Sequence, residues 1–233
     1  MFFPYKDDNP RVLIPYITYF LIGINLFIFL FQFSMGMNDP EAEAIFIYTY
    51  GLIPSQFSVV TMFTSMFLHG GISHIMGNMW FLWVFGDNVE HRLGRVPYAI
   101  FYLVCGILAT LCHWFFFQNS PVPLIGASGA ISGVLGAYFL LYPYNRVKVL
   151  FIFVFITALE LQAMYVLGFY LLLQVYQLLG TFGVSHQTSV ALWAHIGGFI
   201  TGLIVIALYN KLSGQPVWPR RIYSAFGRKR GPF

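Results

Sequence analysis

Long apolar stretches separated by short polar clusters set the pattern of this chain. Six of them, at about 12–34, 71–90, 97–117, 124–143, 158–180 and 189–209, are long enough to cross a hydrocarbon core of ~30 Å as helix. No water is available there to satisfy backbone groups, so uncharged runs of this length predict helices. Barrel strands would alternate polar and apolar residues over ~10 positions, and no segment here does so. The predicted class is an all-α polytopic membrane protein of six spanning helices. The first stretch exceeds the length of a signal-peptide core and lacks a small-residue cleavage site, so it is read as a retained span.

Two further apolar segments do not fit the six. The segment 44–67 is nearly long enough to span, but Gly51 and Pro54 break it. It is placed in a long outer loop lying partly in the membrane interface, where aromatic residues are at home. The segment 149–156 is read as an extended or interfacial lead into the fifth span. Charge supports this count. Lys6 and Arg11 precede the first span, Arg92 and Arg95 follow the second, and Arg146 and Lys148 follow the fourth. Lys211, Arg220, Arg221, Arg228, Lys229 and Arg230 follow the sixth. All 12 Lys and Arg residues thus share one side, which the positive-inside rule makes cytoplasmic, N-in and C-in. The expected division is a cytoplasmic N-terminus (1–11), a six-helix domain (12–209) and a basic cytoplasmic tail (210–233).

Composition agrees, with 58% hydrophobic and 9% charged residues excluding a soluble globular domain. The basic tail is read as a topogenic anchor near anionic lipid, and no nucleic-acid partner is expected. Cys105 and Cys112 are expected to be free, buried thiols. No internal repeat is evident, which weakens a transporter built from inverted halves.

Polar side chains within spans are costly and are functional candidates by default. The second, fourth and sixth spans all start from the outer face, and each carries its polar residues early. They are His74 and Asn78, Ser128, and His195. At 1.5 Å per residue, Ser128 falls roughly 6 Å and His195 roughly 9 Å below the start of its helix. Taken singly, Ser128 reads as a back-bonded or packing serine, and His195 equally well as an interhelical contact. His74 and Asn78, one turn apart on a shared face, could simply bond a neighbour. Their common depth favours a site. Gly129 and Gly133, and Gly198 and Gly202, form small-xxx-small patterns that let helices approach closely. A serine and a histidine on different helices need such an approach to meet at ~2.6–3.2 Å.

From "YKDDNPR" (5–11) to about Asn210 the sequence resembles the rhomboid intramembrane serine proteases of bacterial type. "GASG" around Ser128, with Gly126 and Gly129 beside it and Gly136 two turns on, is similar to that family's nucleophile motif. "HGGISHIMGN" places His69, His74 and Asn78 in register with its second-helix signature. "EHRLG" (90–94) resembles the Glu-x-Arg-x-Gly at the inner end of that helix. "AHIGGFITG" (194–202) resembles the motif that presents the base. The soluble Gly-x-Ser-x-Gly elbow is not matched, because Ala130 stands at the final glycine. The Trp-Arg pair of some members is absent from 35–70, and Ser132 stands where some members have a tyrosine packed on the histidine.

The resemblance implies an intramembrane serine endopeptidase with Ser128 as nucleophile and His195 as base. Asn78 and His74 would support the oxyanion, and Gly126, Gly129, Gly133, Gly136, Gly198 and Gly202 would provide close packing. Packing or a neutral hydroxyl such as Ser132 would replace the usual third group that orients the base. Transmembrane protein substrates and the lipid bilayer are the expected partners, and neither cofactor nor metal is expected. The expected location is a bacterial inner membrane. A non-catalytic rhomboid-like binder or quality-control factor is the second reading, and a channel or transporter the third.

Overall fold

Glycine, proline and a buried carboxylate set the helix ends, and helix packing follows from them. The computed structural model describes residues 2–9, 13–152, 156–180 and 192–219. In chain order these form β1 (Phe2–Asp7), α1 (Tyr16–Asn38), α2 (Pro40–Tyr50), α3 (Val59–Thr64), α4 (Ile72–Leu93) and α5 (Arg95–Phe117). There follow α6 (Ser128–Leu141), β2 (Arg146–Ile152), β3 (Ile156–Gln162), α7 (Ala163–Gly180) and α8 (Leu192–Leu212). Arg11, the 181–188 loop and the tail from Arg220 lie outside the described residues.

The helices α1, α5, α7 and α8 are each long and apolar enough to cross a membrane. The α4 helix passes the same test together with Val59–Phe67, from which it is bent by 88°. The α6 helix is shorter and buried along most of its length. It covers about 21 Å at the helical rise, and extended chain precedes it. Such backbone is tolerated at membrane depth only where protein satisfies it. Here Leu124 exchanges two hydrogen bonds with Leu52 (3.1 and 2.7 Å), and Gly126 N–H donates to the Ser65 carbonyl (2.9 Å). The 44–67 segment therefore forms no span of its own. Gly51 caps α2, Pro54 opens a 3₁₀ turn, and the rest braces the approach to α6.

The "EHRLG" segment has a structural account. Glu90, only 3% exposed, accepts from the backbone N–H groups of Ile17 (3.0 Å) and Thr18 (2.8 Å) and from the Thr18 hydroxyl (2.8 Å). It thus caps α1, where a carboxylate complements the unpaired N–H groups and the positive end of the helix dipole. Arg92 lies over the Tyr209 ring of α8, 5.8 Å from its centroid. Gly94, at φ +84°, makes the turn from α4 into α5.

A three-stranded antiparallel sheet, ordered β1-β2-β3, adds to the helical bundle. The fifth span accordingly begins at Ala163, and 158–162 belongs to β3 instead. The cause is a period of two: Val147 and Val149 are buried, while Arg146 is exposed and Lys148 half-exposed. Glu160 pairs with Arg146 (3.2 Å) and Lys148 (3.4 Å), and these bonds hold its carboxyl below the ordinary range. The segment 149–156 is thus extended wherever it is described. β1 is fastened to the bundle. Trp80 Nε1 donates to the Pro4 carbonyl (2.7 Å). The Asp7 carboxylate accepts from the Tyr138 hydroxyl (2.7 Å), Asn88 Nδ2 (2.8 Å) and Asn9 Nδ2 (3.2 Å). Burial raises the Asp7 pKa to about 6, against the lowering effect of the Tyr138 hydrogen bond.

Candidate active site

Ser128 is the first residue of α6, so it stands at the helix start and not a turn below it, as the sequence suggests. Gly126 accounts for the difference. Its φ of +124° is left-handed, and a Cβ there would lie 2.8 Å from the His74 ring. No helix can be carried back through it, and only glycine meets both conditions. The half-buried Ser128 consequently sits where the first N–H groups of a helix have no intrahelical acceptor.

His195 comes from α8, which packs on α6 along a seam of small residues. A methyl group on Gly198 would collide with the Gly129 carbonyl, one on Gly202 with the Gly133 carbonyl, and one on Gly136 with the Phe199 carbonyl. Gly129 and Gly133 also face Ala109 and Cys105 of α5. This close approach brings Ser128 Oγ within 2.8 Å of His195 Nε2. The opposite ring nitrogen, Nδ1, lies 2.8 Å from Gln174 Oε1 on α7.

His74 Nδ1 accepts from the Gly70 backbone N–H at 3.4 Å. In the neutral ring this leaves Nε2 as the protonated nitrogen, on the edge that packs against Gly126 beside Ser128. Asn78 follows one turn later on α4, 7% exposed, and its Nδ2 has no hydrogen-bond partner among the described residues. His69 is fully buried and stands edge-on to His74, with centroids 5.1 Å apart. Its backbone is held by Gln32, which donates to the His69 carbonyl (2.6 Å) and accepts from its N–H (3.3 Å). A buried donor without a partner is rare in proteins and requires an explanation.

Ser132 does not reach the histidine. Its hydroxyl is bonded to the Tyr170 hydroxyl of α7 at 2.8 Å, and the Tyr170 ring packs near Phe81 and Phe199. The group on Nδ1 is Gln174, which the motifs do not mark. The signal for it was present, as a carboxamide within an apolar span about 9 Å from its Gly180 end. That matches the depth expected for His195.

The arrangement offers a hydroxyl bonded to an imidazole, a second imidazole (His74) packed against Gly126, and, one turn along the helix of that second ring, an amide donor without a partner among the described residues. Residues 56–211 match the Rhomboid domain model. The chain belongs to the rhomboid family, as a multi-pass membrane protein with an intramembrane protease-like fold. Rhomboid protease GluP of Bacillus subtilis is 39% identical over 85 residues, covering 36% of this chain and 16% of that protein. RHOMBOID-like protein 6, mitochondrial, of Arabidopsis thaliana is 31% identical over 161 residues, 66% of this chain and 45% of that one. The bovine Presenilin-associated rhomboid-like protein, mitochondrial, is 27% identical over 164 residues, 69% and 40% of the two chains. The chain spans less than half the length of each of these relatives.

Proposed function

We propose that this protein is an intramembrane serine endopeptidase that cleaves transmembrane proteins near the outer face of the membrane. The observation that carries the reading is the 2.8 Å hydrogen bond between Ser128 Oγ and His195 Nε2. His195 removes the hydroxyl proton as Oγ attacks a peptide carbonyl carbon. The carbonyl oxygen becomes an oxyanion, held by the Asn78 amide and the Ser128 backbone N–H, with His74 Nε2–H as a further donor. The C–N bond then breaks, and the imidazolium gives its proton to the departing amine. Water, deprotonated by His195, hydrolyses the ester and restores Ser128. The distribution of Lys and Arg supports placing both termini on the cytoplasmic side of a plasma membrane, with residues 12–209 as the protease domain and 210–233 as a basic tail.

Ser128→Ala tests the reading. Purified in detergent and returned to liposomes with a model transmembrane substrate, the variant should fold as wild type and cleave nothing. A fluorophosphonate should label wild type and leave the variant unlabelled. Undiminished cleavage by the variant would remove the mechanism.

A further inference from the structure

We propose that Gln174 is the positioning residue of this site, holding His195 in the tautomer that can accept the Ser128 proton. The proposal rests on the serine-protease reading above. Two helices hold opposite edges of one ring: Gln174 Oε1 lies 2.8 Å from Nδ1, and Ser128 Oγ lies 2.8 Å from Nε2. A neutral imidazole carries one N–H and one lone pair. When Nδ1–H donates to the carboxamide oxygen, the lone pair is on Nε2 and faces the serine hydroxyl. In the other tautomer Nε2–H points at Ser128, and the ring cannot act as a base.

No carboxylate takes this role, since no acidic side chain hydrogen-bonds to His195 among the described residues. Among the described residues, the titratable groups facing the ring or its helix include His74 from α4, Tyr170 on the turn of α7 before Gln174, Cys112 of α5 against Gly197, and, at the far end of α8, Arg92 over Tyr209. Tyr170 and Gln174 lie on one face of α7. Tyr170 bonds to Ser132 of α6 and Gln174 to His195 of α8, so α7 is tied to both helices of the site within one turn. A carboxamide can turn over. Its NH₂ would then donate to Nδ1 and favour the idle tautomer, whereas a carboxylate has only acceptors to offer. Glutamate at this position should therefore preserve the function and leave a signature in the pH dependence.

The test uses the full chain in liposomes with a fluorogenic transmembrane substrate, comparing wild type, Gln174→Ala and Gln174→Glu. Both kcat and KM are measured from mildly acidic to mildly alkaline pH. Gln174→Ala should lose about 5- to 10-fold in kcat at constant KM, the worth of one neutral hydrogen bond. Gln174→Glu should retain kcat at alkaline pH and move the acidic limb of the profile up by about one pH unit, because a carboxylate favours the imidazolium. Wild-type kcat in the alanine variant would overturn the proposal. So would equal losses in both variants with an unmoved acidic limb, which would make Gln174 a packing residue. A wild type that cleaves nothing would overturn the protease reading itself, and this proposal with it.

Discussion

Replacing Asn78 with leucine should move activity and stability in opposite directions. Asn78 is 7% exposed and its Nδ2 has no partner among the described residues. A buried donor left unpaired costs about 1–3 kcal/mol. Leucine, branched at Cγ as asparagine is though bulkier, removes that cost, so the unfolding midpoint should stay level or rise. The rate should fall. One oxyanion donor is worth about 2.7–4 kcal/mol, or ~10²–10³ in kcat. KM should change little, because the donor matters most once charge has developed on the oxygen. Thermal unfolding in detergent and initial rates in liposomes measure the two quantities on one preparation. A lower midpoint with unchanged kcat would refute the reasoning, because Asn78 would then be a structural residue.

Three other perturbations test the scaffold. The Asp7 carboxyl, raised from an ordinary 3.8 to about 6 chiefly by burial, holds its proton more tightly folded than unfolded. Its contribution to stability is full below about pH 4 and is lost as pH rises through about 6, up to about 3 kcal/mol in all. Asp7→Asn should flatten that slope in unfolding midpoints measured across the range. Gly202→Val should drive its side chain into the Gly133 carbonyl, cost at least the ~1–3 kcal/mol of overpacking, and abolish cleavage by moving His195. Gly23→Ala, with nothing within 4 Å, should leave midpoint and rate undiminished.

The parts legible in the sequence depend on solvent and spacing. Uncharged runs located the six helices read as spans within a few residues but not α2 or α3, and the glycines at 129, 133, 198 and 202 marked the helix pair that meets at the site. Gly126 stopped α6 at Ser128 through a backbone conformation that no periodicity reports. The sheet was partly legible, since "RVKV" alternates charged and β-branched residues. The apolar residues that follow it hid the alternation. Strand β1 was not legible, because a short N-terminal segment reveals its partner only once Asp7 meets Tyr138 and Asn88. Gln174 illustrates a further limit. Its depth was readable, but which helix would face it depends on how α7 packs.

The first strand also has a mechanical consequence. Tyr138 lies as many residues beyond Ser128 as Asn88 does beyond Asn78, about 15 Å along each helix. One carboxylate, Asp7, fastens both of those remote points. It works as a tie rod beneath the helix of Ser128 and the helix of Asn78, and a force that peeled the N-terminus away would slacken both arms together.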